Sequence, residues 1–335
     1  MVSLQFREFD FETAECPMTW GSGVLDDVQC SDKLDKLWLA GTPWGGVMER
    51  LIIAWSLHEN GDQRRARQLL VDCYTVLLPQ RAFHGDCDLV RDFREALRIV
   101  LDATWAVTCT RILIQSVAEL DNLVRFIDAI PPLRSLSAKQ RAAVYAIRGR
   151  LAGPDGEQWF RKAISISPEE GKWRYLLGWI IQDRRKCLGT PSLEEYGLLS
   201  DAYRLRNNPD TVVRLARTLT DMGSKVDQMR AETLMSEAMM KWPEHPRVLT
   251  QVASIMTMIK HIPPAETFVY SRALYLRVLS VFGERAFIHF KLGALCMMHG
   301  EAQQAGWHFE RAQRLNPAVA AKMNMQMAAL SALSR

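Results

Sequence analysis

Apolar side chains recur along most of this chain at intervals of three and four residues, the period of helices buried on one face. Short turns rich in Gly, Pro, Asn and Asp interrupt the pattern at regular distances. The clearest copy lies near the C-terminus, where Leu292-Gly293, Gly300, Ala305, Phe309, Ala312 and Pro317 follow in order. They predict two antiparallel helices, A and B. Gly293 and Ala305, twelve positions apart, are small where the helices cross. Phe309 fills the space between hairpins, and Ala312 lets the next hairpin approach. Gly300 permits the turn, and Pro317 ends helix B.

The same register recurs upstream. Ala54 and Ala66 are twelve apart, with Gly61 at the turn and Leu70 and Cys73 following on helix B. Ala253 and Ala265 repeat the spacing, followed by Val269. Phe160, Ala163 and Pro168 mark another helix B, which puts Val144 in the small-residue place of its helix A. Leu177-Gly178 opens the next copy. Leu215-Ala216 leads to Gly223, Ala231, Met235, Ala238 and Pro243, with three extra residues in the turn. Weaker hairpins fill the gaps: one from about Arg91 to Ile130, and a helix B from about Leu193 to Leu205. This is the tetratricopeptide pattern. It predicts an all-α, tetratricopeptide-like helical hairpin array, a right-handed α-solenoid of about seven hairpins. The ends differ. Residues 1 to about 26 lack helical periodicity, and a helix from about Asp27 to Leu39 precedes a Gly/Pro break at Gly41 to Gly46. Ala318 to Leu333 reads as one more helix. The expected division is 1–46 as an N-terminal segment with one helix, 47–317 as the array, and 318–335 as a capping helix.

Composition adds little until charge is placed along the chain. The 335 residues are 48% hydrophobic and 24% charged. No run of about 18 apolar residues occurs, so no membrane span is expected, and Met1 to Phe11 has no signal-peptide core. The seven cysteines are odd in number, widely spaced and without a Cys-x-x-Cys pair, which fits free thiols in a reducing cytoplasm. Net charge is +4, but Arg134 to Lys186 alone carries an excess of +7, leaving the rest at −3. Such a zone suits an anionic partner, or it is simply a solvated basic face.

In arrays of this kind the A helices line the concave side. Counting from each small residue gives the side chains turned toward that groove. They are Trp55 and His58; Arg141, Tyr145 and Arg148; Lys172, Tyr175, Trp179 and Gln182, with Arg184 and Arg185 a turn further; Arg217; Arg247 and Thr250; and Phe287, Phe290 and Lys291. Cations alternating with Tyr and Trp suit single-stranded RNA, because cations meet phosphates and aromatic faces stack on unpaired bases. Trp179 and Tyr145 equally fit packing between A helices. A scaffold that takes a peptide or partner helix is the second reading, favoured by Phe287, Phe290 and the Met-rich C-terminal end. No Walker loop, Gly-x-Ser-x-Gly elbow or His-Glu-x-x-His is present. His84-Gly85-Asp86-Cys87-Asp88 has no second cluster at metal-ligand spacing. Neither an enzyme, a metal nor a cofactor is expected.

Several segments together resemble the interferon-induced proteins with tetratricopeptide repeats. Cys16-Pro17-Met18-Thr19-Trp20 is similar to that family's Cys-His-Phe-Thr-Trp. Gly178-Trp179-Ile180-Ile181 through Arg184-Arg185 is similar to its Gly-Tyr-Ala-Ile stretch ending in Tyr-Arg. Asn208-Pro209-Asp210, Pro246-Arg247-Val248-Leu249 and Ala286-Phe287-Ile288-His289 match in order and spacing. The resemblance implies a cytoplasmic antiviral protein that holds single-stranded RNA 5′ ends, phosphorylated or capped, in a basic channel, or binds family partners. It implies that Arg185 stands at the arginine contacting 5′ phosphates. Arg247 and Gln251 stand where groove tyrosines are common, Thr250 where a groove arginine is, and Lys291 near a groove glutamine. The chain is shorter than typical members.

Overall fold

The computed structural model describes residues 16, 17, 20, 23–40, 42–77, 87–110, 117–185 and 189–317. The expected C-terminal cap at 318–335 and most of the His84–Asp88 cluster lie outside them. Sixteen α-helices and no strand occur among the described residues. They are α1 (Asp27–Asp35), α2 (Pro43–Glu59), α3 (Gln63–Leu77), α4 (Cys87–Asp92), α5 (Arg94–Thr110), α6 (Val117–Asp128), α7 (Ala138–Leu151), α8 (Glu157–Ile166), α9 (Gly171–Arg185), α10 (Leu193–Leu205), α11 (Pro209–Met222), α12 (Lys225–Lys241), α13 (Pro246–Met256), α14 (Pro264–Phe282), α15 (Ala286–Met298) and α16 (Ala302–Leu315). A 3-10 turn, Leu37–Ala40, follows α1. From α2/α3 and α5/α6 to α15/α16 the helices pair into seven hairpins.

The chain divides into two compact units. The first comprises residues 1–24 and 42–176, the second 25–41 and 177–335. In the first unit Trp44 of α2, Phe93 between α4 and α5, and Trp173 of α9 form a buried trio with centroids 5.1–5.9 Å apart. Fully burying side chains of this size contributes about 1.5–3 kcal/mol each. Helix α2 starts earlier than the Gly/Pro break suggested. Thr42 Oγ1 accepts from the Gly45 amide and Pro43 occupies the first turn, so Gly45 and Gly46 are helical. Both features compensate for the poor helix propensity of the glycines.

Helix crossings depend on small residues. A Cβ on Gly293 would stand 2.7 Å from the Phe309 ring, and one on Gly178 would stand 2.8 Å from Leu199 Cγ. In α7/α8 the close approach is between Gly149 and Gly156, where a Cβ on Gly156 would lie 1.9 Å from the Gly149 carbonyl oxygen. Val144 is fully buried but is not the crossing point. The short 3-10 connection Gly153–Gly156 moves the crossing toward the turn.

One expected register is corrected in α13/α14. Ala265 is exposed and Val269 is 66% exposed, whereas Ser271, Tyr275 and Val278 are buried. The buried face of α14 therefore begins at Thr267 and Phe268 and continues through Ser271. Residues 257–263 lengthen the turn, so the twelve-residue spacing picked out a residue on the solvent side. Elsewhere the repeat's small positions mark the core: Ala66, Ala231, Ala238, Ala305 and Ala312 are all fully buried. Between α11 and α12, Gly223 caps the helix at φ +83°, the left-handed conformation that glycine adopts without steric cost.

Candidate nucleic-acid interface

In the first unit the predicted groove residues of α7 meet α8. Tyr145 stacks on Trp159 with centroids 5.8 Å apart and an interplanar angle of 11°. The Arg148 guanidinium lies 3.7 Å from the Trp159 centroid and 5.8 Å from that of Trp20. Lys162 Nζ sits 4.1 Å over Tyr145 and 5.8 Å from Trp159. Two cations and three aromatic rings thus interleave. Tyr145 and Arg148 share a face because they are three residues apart on one helix, as are Trp159 and Lys162. Cys16, buried against Ala103 and Val107, anchors the turn that presents Trp20. Arg141 lies on the same face of α7, and its Nη1 donates to the Leu136 carbonyl at 2.6 Å.

Trp159 and Lys162 were missed by reasoning from A helices alone. Their signal was an aromatic and a cation three apart on helix B, directly preceding Phe160 and Ala163 on the core face. Arg161, between them, points elsewhere and pairs with Glu157 at 2.7 Å.

Four expected groove residues of the first unit lie inside it. Lys172 and Tyr175 are 3% and 1% exposed, with Lys172 Nζ 4.7 Å over the Tyr175 ring. Trp55 and His58 are also buried and stack on one another, and His58 Nδ1 is 2.8 Å from Gln63 Oε1. The groove rule assumes that each A helix has one open face. Helix α2 and the first turns of α9 are covered nearly all round.

In the second unit Arg185, Arg217 and Arg247 are matched by carboxylates. Arg185 Nε bonds Glu195 Oε2 at 2.8 Å, Nη2 bonds Asp221 Oδ2 at 2.6 Å, and Nη1 donates to the Gly189 carbonyl at 2.9 Å. Burial opposes charge on this guanidinium, but its hydrogen bonds and ion pairs with Glu195 and Asp221 outweigh it and raise its pKa above the usual value. Arg217 Nε reaches the other oxygen of Asp221 at 3.0 Å. Gln182 donates to Thr218 at 2.8 Å and accepts from Arg214 at 2.5 Å, and Arg214 lies 5.2 Å from the half-buried Trp179 ring. Arg184, beside Arg185, is exposed. Arg247 pairs with Asp210 at 3.1 Å and donates to the Leu39 carbonyl at 3.1 Å. Thr250 turns back onto the Pro246 carbonyl, and Lys291 lies 5.5 Å over Phe287. Phe290 is buried against Phe309.

Antiparallel helical hairpins with small residues at their crossings define the tetratricopeptide-like class. Among solved structures the chain is similar to a human IFIT1 dimer with PPP-AAAA, at 17% identity and a TM-score of 0.65, covering 95% of this chain and 72% of that one. It is similar to a monomeric IFIT1 mutant with Gppp-AAAA at 16% identity and 0.69, covering 95% and 74%. A human IFIT1 dimer with m7Gppp-AAAA gives 17% and 0.65, covering 95% and 73%. The fold is therefore an IFIT-like tetratricopeptide fold. No family model matches the sequence, and no curated protein matches it. No helix among the described residues is long and apolar enough to cross a membrane.

Proposed function

We propose that this chain is a non-enzymatic, cytoplasmic RNA-binding repeat protein of innate antiviral defence that holds single-stranded RNA through its first unit. The observation that carries the reading is the interleaved cluster of Arg148, Lys162, Tyr145, Trp159 and Trp20. The exposed Lys162 and the half-buried Arg148 offer phosphate contacts, and the half-buried Tyr145 and Trp159 beside them offer aromatic surface to an adjacent base, with the buried Trp20 backing Arg148. The +7 excess between Arg134 and Lys186 spans this cluster. The IFIT1 structures contain RNA-like ligands with 5′ triphosphate or cap groups, so an RNA carrying a 5′ phosphate or cap is the ligand class to try first. Arg141, Arg184, Arg217, Arg247 and Lys291 are secondary phosphate contacts in this reading. Arg185 takes part only where a phosphate shares its guanidinium with Glu195 and Asp221.

Fluorescence anisotropy with a labelled 5′-triphosphate oligo(A) tests the proposal. Arg148→Ala and Lys162→Ala are expected to weaken binding by about 1–3 kcal/mol each, the range for charge-assisted hydrogen bonds. Arg161→Ala, beside Lys162 but paired with Glu157, is expected to change it little. Equal small losses in all three would reduce the interaction to diffuse charge. No binding by the parent at low salt would favour a protein-binding scaffold instead.

A further inference from the structure

Residues 27–40 belong to none of the seven hairpins, yet they dock in the second unit. Helix α1 is self-contained at its start, with a reciprocal capping box between Asp26 and Gln29. Its other end is held by the first turns of α13 and α15. The Asp35 carboxylate accepts from the Phe287 amide at the start of α15, whose own N-cap, Arg285, supplies no side-chain cap. A carboxylate there satisfies an orphan amide and faces the positive end of the helix dipole. Lys36 Nζ sits 4.9 Å over the Phe287 ring and pairs with Asp32 at 2.5 Å. Trp38 packs on Phe282 at 5.7 Å, and the Arg285 guanidinium lies 5.4 Å over its ring. The Leu39 carbonyl accepts a hydrogen bond from Arg247 Nε at 3.1 Å. An acidic helix, followed by the 3-10 turn that carries Trp38, thus lies against α13 and α15, which carry Arg247, Arg285 at the N-cap, and Lys291.

The docking is incomplete in a way a core element is not. Residues 31–39 are all only half buried, and only Cys30 and Ala40 at either end of that stretch are buried. Asp35 Oδ2 and Trp38 Nε1 are removed from water without a hydrogen-bond partner. Each uncompensated polar atom subtracts from the docking energy. Segments with few buried apolar contacts open at low free energy while the rest of the fold stays intact.

We propose that residues 27–40 are a displaceable internal peptide ligand of the α13–α15 face, and that RNA competes with them for Arg247, Arg285 and Lys291. The competition rests on the RNA-binding function proposed above; the docking does not. In the docked state the segment shields this cationic face. RNA that draws phosphates onto Arg247 and Arg285 releases Leu39 and Trp38. Occupancy of the second unit is thereby coupled to exposure of an acidic–aromatic segment.

A labelled peptide spanning residues 25–40 and the full chain carrying Asp35→Ala with Trp38→Ala test it. The peptide should bind the doubly substituted chain saturably and at least fivefold more tightly than the parent, whose face is already filled. Adding Arg247→Ala should weaken that binding severalfold. Equal binding to both chains, or none to a substituted chain that keeps the parent's helical circular dichroism, overturns the docking. If the substituted chain does not fold, hydrogen exchange on the parent decides: the 27–40 amides should exchange at least tenfold faster than those of α13 and α15, and equally slow exchange overturns the proposal. The 5′-triphosphate oligo(A) should displace the peptide and speed exchange in 27–40. RNA that binds the parent without doing either overturns the competition alone. RNA that binds no form of the protein refutes the RNA-binding function, while the peptide and exchange results still decide the docking.

Discussion

Arg185 Nη2 and Asp221 Oδ2, thirty-six residues apart in sequence, meet at 2.6 Å, and the same guanidinium holds Glu195 through Nε at 2.8 Å. Glu195 is fully buried, and Thr218 Oγ1 also donates to it at 2.8 Å. Arg185 therefore neutralises a carboxylate that has no access to water. Breaking a buried pair from one side leaves an uncompensated charge and costs about 3–5 kcal/mol. Arg185→Ala is expected to lower unfolding stability by that order in urea titrations, and Glu195→Gln in the same chain should restore part of it. A loss below about 1 kcal/mol would mean the guanidinium is available to a phosphate, as the family resemblance implies.

Counterion release gives a second expectation. Each phosphate neutralised on a single strand contributes about −0.7 to the slope of log K against log salt. With about three to five groove cations engaged, the slope should fall on the order of −2 to −4. Anisotropy titrations between low and moderate salt measure it directly, and a slope near zero would remove phosphate contacts from the mechanism.

Glycines that look alike in sequence should respond oppositely to alanine. Gly156→Ala drives a methyl to 1.9 Å from the Gly149 carbonyl, and Gly293→Ala drives one to 2.7 Å from the Phe309 ring. Overpacking of this kind costs about 1–3 kcal/mol or more, with Gly156 the worse because backbone cannot step aside. Gly197 lies within α10 and has nothing within 4 Å of the added Cβ. Gly197→Ala should stabilise by about 0.5–1 kcal/mol through helix propensity. Melting temperatures of the three variants would order them.

Acid should loosen the last hairpin through its histidines. His289 Nε2 lies 3.1 Å from Glu284 Oε2, and its Nδ1 lies 3.0 Å from His308 Nδ1. The carboxylate can only accept, so His289 carries its proton on Nε2 and His308 donates from Nδ1. Arg311 holds Glu284 ionised, keeping its pKa low. Burial lowers the pKa of both imidazoles. For His308, the neighbouring His289 and Arg272 add to it, and its value falls from 6.5 to about 4. Folded values below the unfolded value mean that the stabilisation is complete above about pH 6.5. It is lost as pH falls toward about 4. A shift of this size is worth on the order of 3 kcal/mol. Urea midpoints should fall across that window in the parent and much less in His308→Gln. Identical pH profiles would assign the acid sensitivity elsewhere.

Much of the hairpin framework was legible because it follows local rules. Ala66, Ala231 and Ala305 are small where helices cross, and Asn208-Pro209 starts α11 through a cap that acts within three residues. The candidate cluster was legible only in part. Tyr145 and Arg148 were found from their helix A positions, but Trp159 and Lys162 lie on helix B, and Trp20 is over a hundred residues away.

The sequence by itself determined the helices, their pairing and most of the small residues at the crossings, because the three-and-four period, caps and turn glycines are set by neighbours within a few positions; Ala265 and Val144 failed where the turn length departs from the repeat. Only the tertiary structure decided which cations remain on the surface. Lys172 and Tyr175 share the groove pattern with Tyr145 and Arg148 yet are buried, and Arg185 is claimed by Glu195 and Asp221. Burial and ion pairing depend on which elements converge on a side chain, and Leu39, in the 3-10 turn after α1, reaches Arg247 from 208 positions away. No local pattern encodes that distance.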